Sequence, residues 1–353
     1  MKPKFFLAAG VVLMLAFVLV LGTAAAQPAS MCDPAYVNKT NNIIHVRPTS
    51  ADDTTNIQCA FDWAIATGPH KTIHLLPGTF HTGQIYVKDF IGAFRGSGMQ
   101  RTTIVNLPNL YVKPDSGIPS PDNPQPYLFA MFGGDYTFSH MTIKAVGEKP
   151  TTYWSWPGCE NNYTFHALIG MFPYETHAKI FRVAMIGEPY ATAHYGYNVM
   201  QGIFALGILG AEMPPISGSI RVSHSSFEGA AYSLAFLNMA DATIVVSNND
   251  FTDTSAAAEA ADLVNTRVIF GNNRVEASML GLTFANYILP ADVNSDHIVR
   301  NNVIKAPIGV AMSQTMDADS TCLIAFNNMS WVTDTPIFLS PGAQACVLKA
   351  NRE

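Results

Sequence analysis

The chain has 353 residues, of which 48% are hydrophobic and only 13% are charged. It carries 26 Asp and Glu against 20 Lys and Arg, a net charge of −6, which argues against nucleic acid as a partner because phosphate-backbone binding needs a basic face. The length is large for one compact core, but repeat folds avoid that limit because they grow along an axis.

The N-terminus predicts a secretory signal peptide over residues 1–26. Lys2 and Lys4 precede an apolar run from Phe5 to Leu21, and small residues follow up to Ala26. We expect cleavage near Ala26, a secreted or periplasmic location, and no membrane insertion once the signal is removed. An uncleaved membrane anchor is the alternative interpretation.

All five cysteines follow the predicted signal and would therefore meet an oxidising compartment. Cys32 and Cys59 flank the start of the fold, and Cys322 and Cys346 lie near its end. We expect one disulfide at each end, with Cys159 left unpaired. The chain contains no C-x-x-C pair, so a zinc or thioredoxin-like interpretation has no support.

Segments about 25 residues long recur in the second half of the chain, each with a polar pair after a short β-branched or apolar stretch. Successive polar pairs begin 24, 24, 29 and 26 residues apart. They begin at His224, Asn248, Asn272, Asn301 and Asn327. This period predicts the stacked coils of a parallel β-helix, which bury their inward faces only together. Asn at one turn of each coil predicts a ladder of side-chain hydrogen bonds, since Asn also tolerates a left-handed backbone.

Residues 55–66 predict a short helix. Capping residues precede them at Asp52 and Asp53, apolar residues recur at helical spacing, and Gly68-Pro69 ends the pattern. Such a helix would cover the open strand edge of the first coil.

The residues after this helix resemble the pectate-lyase-like β-helix superfamily. The resemblance is carried by a strand entering the turn Pro77-Gly78-Thr79-Phe80, and by Gly96-Ser97-Gly98 followed by Thr103. It implies an all-β, single-stranded right-handed parallel β-helix with an N-terminal cap helix. We expect an N-terminal extension over residues 27–50 and one β-helix domain over residues 51–350.

The superfamily includes hydrolases, lyases, epimerases and proteins without a known reaction, so the resemblance is specific for fold rather than for activity. It implies polysaccharide as the partner, bound along a groove between a loop and the next strand. We expect a monomer. The first hypothesis is a secreted polysaccharide-binding or polysaccharide-cleaving protein, and the alternative is a non-catalytic cell-surface or matrix-binding module.

Two insertions rich in aromatic residues, one after Gly147 and one after Gly187, provide candidates for sugar stacking. The substrate-binding candidates in the insertions and the following coil are Tyr153, Trp154, Trp156, Tyr190, Tyr195 and Tyr232. The alternative is that these rings pack the insertions onto the wall of the β-helix.

Acidic residues and one histidine provide the catalytic candidates. They are Glu188, His194, Asp253 and Asp262. His194 with Glu188 could supply acid–base chemistry, and the later acids, with Glu259, could supply paired carboxylates. No cofactor is required by these assignments, although the same acids could bind Ca²⁺.

Several superfamily signatures are missing. Asn265-Thr266-Arg267 has arginine where the polygalacturonase-like hydrolases place an acid. Arg221 is the one Lys or Arg between Val183 and Thr266, which makes an arginine-based lyase site hard to build there, and leaves Lys144 and Lys149. These gaps favour the non-catalytic alternative.

Overall fold

The computed structural model describes residues 32–107, 127–147, 151–153, 161–163, 165–189, 197–207, 215–287, 289, 291–343 and 346–352, and side chains for all of these except 151–153, 161–163, 165 and 166. Over these ranges, no helix is long and apolar enough to cross a membrane.

The described residues form one α-helix, one 3₁₀ turn and a long series of strands. The helix is α1 (Thr54–Ala66), and the 3₁₀ turn is Pro341–Ala343. The strands are β1 (Val37–Thr40), β2 (Ile43–Val46), β3 (Lys71–Leu75), β4 (Gly78–Thr82), β5 (Ile85–Lys88), β6 (Ile91–Arg95), β7 (Thr102–Asn106), β8 (Tyr127–Lys144), β9 (Thr151–Tyr153), β10 (Asn161–Tyr163), β11 (Phe165–Ile186), β12 (Val199–Leu206), β13 (Ile216–Ser223), β14 (Ser226–Glu228), β15 (Ala230–Leu237), β16 (Met239–Ser247), β17 (Asp250–Ala261), β18 (Arg267–Gly271), β19 (Arg274–Ala285), β20 (Asp296–Arg300), β21 (Val303–Lys305), β22 (Ile308–Met312), β23 (Thr321–Ala325), β24 (Thr335–Leu339) and β25 (Val347–Lys349).

Each coil contributes strands to three faces, and strands one coil apart pair in parallel. In one coil, Thr243–Ser247 lies on face 1, Asp250–Thr252 on face 2 and Ala256–Ala261 on face 3. Face 1 of this coil pairs with β13 of the preceding coil and with β18 of the next. The predicted all-β parallel β-helix is therefore confirmed.

Helix α1 covers the N-terminal end of the coils, as predicted. Phe61 is fully buried, and its ring lies 5.1 Å from that of Phe90 and 4.9 Å from that of Phe94. At the helix start, Asp52 accepts the Thr54 N–H at 2.8 Å. Asp53 does not cap the helix with its side chain. Its buried carboxylate instead accepts hydrogen bonds from the backbone N–H groups of residues 49 and 81.

The parallel sheet begins before the helix. Strand β2 pairs in parallel with β3, aligning Ile44 with Ile73 and Val46 with Leu75. These four side chains are buried in the core. The sheet therefore extends into residues 43–46, upstream of the domain boundary predicted at residue 51.

The predicted Asn ladder is present, with one change of register. Asn249, Asn273 and Asn302 are buried, and each Oδ1 accepts the backbone N–H of the preceding member. The last coil aligns one residue earlier than its Asn-Asn pair suggested, because Asn327 stacks under Asn302 and Phe326 adopts the left-handed conformation. The expectation that the pair starts at Asn327 was wrong in this coil.

Both predicted disulfides are formed, Cys32 with Cys59 and Cys322 with Cys346. Cys159 lies outside the described residues. The first bridge ties residue 32 to α1, and the second ties the last coil to the coil before it. Both ends of the repeat, where stacking is one-sided, thus carry a covalent link.

Candidate functional site

The turn between faces 2 and 3 places two of the predicted residues close to each other. Glu188 forms an ion pair with Lys144, with Oε1 and Nζ 3.0 Å apart, and both side chains are partly exposed. Glu188 also accepts the Gly147 N–H, while its own N–H donates to Asn198 Oδ1 at 2.7 Å. Lys144, a remaining lyase candidate, is therefore engaged by the predicted acid Glu188.

Asp253 lies at the same turn and is exposed. It accepts a hydrogen bond from the Tyr197 hydroxyl at 3.0 Å. Burial first, and then this carboxylate, raise the pKa of Tyr197 to about 12. Tyr197 also forms a β-bridge with Pro189, next to Glu188, so Glu188 and Asp253 border one stretch of the turn.

Asp262 has a structural role at the other end of face 3. Its side chain is 1% exposed, and its Oδ1 accepts the N–H groups of Tyr287 and Leu289, each at 2.9 Å. A carboxylate held by two backbone donors stabilises a turn and is poorly placed to reach a polymer on the surface.

The remaining candidates belong to the two insertions. Tyr153 ends β9, which pairs with β10 in a two-stranded antiparallel sheet. Trp154, Trp156, Tyr190, His194 and Tyr195, as well as Lys149, lie outside the described residues.

The outer side of face 3 is apolar over its early coils. Four aromatic residues form a cluster there that is separate from the interior core. They are Tyr127, Phe132, Phe172 and Phe204. The ring of Phe172 lies 4.9 Å from those of Tyr127 and Phe132. These rings form a small second core on the outer side of face 3, and the strands of face 3 supply them.

Polar side chains enter this face in three successive coils. Gln201, Tyr232 and Glu259 lie on the neighbouring strands β12, β15 and β17. Gln201 is directly in register with Tyr232. Glu259 is in register with Ala235, three residues after Tyr232 on the same strand. Gln201 is 3% exposed, and its Oε1 has no hydrogen-bond partner among the described residues. Sequence reasoning missed Gln201, whose one signal is its register with Tyr232.

Glu259 is 7% exposed and lies between Ala235 and Thr283. The Tyr287 hydroxyl donates a hydrogen bond to its Oε1. Burial raises the pKa of this carboxyl, and the hydrogen bond from Tyr287 offsets part of the shift. A raised pKa keeps a larger fraction of a carboxyl protonated at a given pH, and a protonated carboxyl can donate a proton.

Metal binding has no site in the part of the chain that the structure describes. Within it, no three His, Cys, Asp or Glu side chains converge as metal ligands would. Calcium binding by the loop acids stays a prediction without an assigned site.

No family model and no curated protein matches the chain. Solved structures similar to it include the A-module of a mannuronan C-5 epimerase from Azotobacter vinelandii, with 12% identity, 85% of this chain and 89% of that one covered, and a TM-score of 0.44. A DFA-IIIase from Arthrobacter chlorophenolicus has 12% identity, with coverage of 88% and 94% and a TM-score of 0.44. The enzymatically active domain of tailspike protein 2 from bacteriophage CBA120 has 10% identity, with coverage of 85% and 45% and a TM-score of 0.41. At these identities and TM-scores no activity transfers to the chain.

Proposed function

We propose that the protein binds a polysaccharide along the outer side of face 3, and that Glu259 donates a proton to the bound polymer. The observation that carries this proposal is the succession of Gln201, Tyr232 and Glu259 over neighbouring coils of face 3, whose early coils carry the apolar cluster. Amide, phenol and carboxyl groups can hydrogen-bond to sugar hydroxyls, and the apolar surface beside them can pack against the C–H face of a sugar ring.

Gln201 supports the binding half of the proposal. Its Oε1 is a buried acceptor without a partner among the described residues, and a buried acceptor in that state costs free energy. A sugar hydroxyl that donates to this atom would remove the cost.

Glu259 supports the catalytic half. Cleavage of a glycosidic bond, whether by hydrolysis or by elimination, leaves a sugar oxygen that needs a proton. The raised pKa of Glu259 keeps more of this carboxyl protonated than a solvated one. The proposal therefore assigns the proton donor without choosing between the two reaction types.

Aromatic stacking by the insertions extends the same proposal. In this proposal Trp154 and Trp156 stack on sugar rings of the same polymer. Changing both tryptophans to alanine should abolish polysaccharide binding and leave thermal stability nearly unchanged. A large loss of stability would instead assign the rings to packing.

The alternative, a non-catalytic binding module in the extracellular space or periplasm, draws on a different observation. Glu188 is paired with Lys144, and Asp262 accepts backbone N–H groups, so two of the predicted catalytic acids have structural roles. In such a module Glu259 would bind a sugar hydroxyl without transferring a proton.

The two functions separate in one experiment. Purified protein is incubated with uronate-containing and neutral polysaccharides, while new reducing ends and the ultraviolet absorbance of unsaturated products are followed. Binding is measured by affinity electrophoresis on the same polymers. Glu259→Gln should abolish product formation and retain binding. The control Glu228→Gln changes an exposed acid on face 2 and should retain both. Product formation by Glu259→Gln at the wild-type rate would rule out the proton donor, and binding without product by the wild type would support the module.

A further inference from the structure

Three outward columns of the β-helix contain no acidic side chain. A column is the set of residues that occupy one register position in successive coils. Column 1 runs along face 1 from Ile43 to Val347, and column 2, two positions later in each strand, runs from His45 to Lys349. Column 3 is the left-handed residue that follows column 2 in each coil, from His140 to Ala350. Over the described coils these columns hold no Asp or Glu, although the chain contains 26.

Basic side chains are concentrated at the N-terminal end of these columns, with at least one in each of six successive coils. We call this set the cationic row. Column 2 contributes His45, His74 and Arg95, column 1 contributes Lys179 and Arg221, and column 3 contributes His140, Arg182 and His224. With a rise of about 4.8 Å per coil, the row is roughly 24 Å long. Arg300 follows in column 2 three coils later, with Gly271 and Ala325 as its neighbours.

The N-terminal part of the row lines a shallow cleft. His74, Arg95, Arg101 and His140 border it, together with Ser97. The rings of His45 and His74 lie 5.5 Å apart, and His74 Nε2 is 3.1 Å from Ser97 Oγ. Imidazole and hydroxyl groups beside an arginine can bind sugar hydroxyls and an acid group at the same place.

The C-terminal part of the row is organised around Phe181. Its ring packs edge-on to His140 on one side and to His224 on the other, each at 5.5 Å. Lys179 Nζ and Arg182 Cζ lie 5.4 and 5.0 Å from the same ring. The aromatic ring therefore holds two cations and two histidines over three coils, through cation–π and edge contacts.

The basic groups of the row lack carboxylate partners in the described residues: none of its eight members forms an ion pair with one. Burial, followed by Arg182 and Arg95, lowers the pKa of His140, and burial, followed by Arg95 and His45, lowers that of His74. Cations at this spacing repel one another, and an anion bound along the row would relieve that repulsion.

We propose that the cationic row is a second binding surface, separate from face 3, and that it takes a linear polysaccharide bearing acid groups on its sugars. Basic side chains in successive coils fit a polymer whose anions also recur along its length. Ser97 and the histidines supply partners for hydroxyls between the acid groups. A nucleic acid is the competing linear polyanion, and single-stranded DNA is therefore one of the probes used to test the assignment.

The test uses the full chain and three probes of similar length. These are polygalacturonate, its fully methyl-esterified form, and single-stranded DNA. Binding is measured by isothermal titration at low and physiological salt. Wild-type protein should bind polygalacturonate about tenfold or more tighter than the ester, and added salt should weaken that binding because it screens the row. Equal binding of the ester would overturn the role of the acid groups, and tighter binding of the DNA would overturn the polysaccharide assignment.

Variants then locate the surface. Changing Arg95, Lys179, Arg182 and Arg221 together to Gln should lower polygalacturonate affinity about tenfold or more, since these four side chains are exposed cations of the row. The matched control is Arg300→Gln, which changes an exposed arginine of column 2 outside the row and should alter affinity less than about twofold. Wild-type affinity in the fourfold variant, with an unchanged unfolding midpoint, would place binding elsewhere.

The test of the cationic row can fail independently of the test of face 3. Glu259→Gln leaves every member of the cationic row in place, so it should bind polygalacturonate with its salt dependence intact. The fourfold variant leaves Gln201, Tyr232 and Glu259 in place and should retain product formation on a short oligosaccharide if face 3 is active. Loss of salt-dependent binding in Glu259→Gln would overturn the claim of two separate surfaces.

Discussion

Asn273 Oδ1 accepts two hydrogen bonds from Asn249, one from its backbone N–H at 3.0 Å and one from its side-chain Nδ2 at 3.1 Å. Asn273 Nδ2 in turn donates to the Val246 carbonyl and to Asn302 Oδ1. Each buried Asn thus satisfies backbone groups of the turn and joins two coils, which explains why this residue type recurs at this turn.

The first prediction concerns this ladder. Asn273→Ala should cost about 2 to 3 kcal/mol of unfolding free energy, because it leaves the Asn249 N–H and the Val246 carbonyl buried without partners. Urea denaturation measures the loss. The matched control is Asn272→Gly, an exposed left-handed position where glycine is tolerated. Equal stability of the two variants would contradict the structural role of the ladder.

The second prediction concerns pH and Glu259. Burial raises the folded-state pKa of this carboxyl above its unfolded value. Below the unfolded pKa both states are protonated, whereas between the two pKa values the folded state binds more protons and loses stability as the pH rises. Glu259→Gln should therefore match the wild type near about pH 4 and exceed its stability near about pH 8. Urea midpoints at both pH values check this, and a difference that shrinks with rising pH would reverse the sign.

The third prediction concerns a buried polar pair inside the coils. Asp292 Oδ2 lies 3.1 Å from His297 Nε2, both side chains are fully buried, and Asp292 Oδ1 accepts the Leu263 N–H at 3.0 Å and Asn286 Nδ2 at 2.8 Å. Asp292→Ala should cost about 3 kcal/mol or more, because it leaves these groups buried without an acceptor. The control Asp296→Ala changes a half-buried acid on face 1 and should cost less than about 1 kcal/mol. Thermal denaturation of both variants measures the two losses of stability, and equal losses would contradict the prediction.

The fourth prediction concerns the C-terminal bridge. Replacing Cys322 and Cys346 by serine removes a link that closes 24 residues and should cost about 3 kcal/mol through greater entropy of the unfolded chain. Unfolding midpoints with and without reductant measure the effect. The double variant should lose less stability on reduction than the wild type does, since the bridge between Cys32 and Cys59 is then the remaining described disulfide. An unchanged response to reductant would show that the C-terminal bridge does not contribute.

The fifth prediction rests on the cationic row. Phe181→Leu keeps an apolar side chain but removes the ring that holds Lys179 and Arg182, so polygalacturonate affinity should fall about threefold. Its far-ultraviolet circular dichroism should match the wild type. The same substitution at Phe270, a buried interior ring, should lower stability and spare affinity. Unchanged affinity in Phe181→Leu would exclude the ring as an organiser of the row.

The sequence by itself determined the parallel β-helix, the cap helix, both disulfides and the Asn ladder. The cap helix and the ladder depend on local signals: a helical period before a Gly-Pro stop, and short strands that end at an Asn turn. A register error came from the last coil, where Phe326 takes the left-handed position that Asn usually occupies. The preference of Asn over Phe for the left-handed conformation is weaker than the hydrogen bonds of the buried ladder. Those hydrogen bonds place Asn327 under Asn302.

Only the tertiary structure decided which side chains from different coils meet. His140, Arg182 and His224 are neighbours in one column although they lie 42 residues apart in sequence, since insertions lengthen these coils beyond the regular repeat. Counting residues cannot align coils of unequal length, whereas backbone pairing aligns them strand by strand. The same pairing brought Gln201 next to Tyr232, joined Lys144 to Glu188, and set Asp262 into a turn.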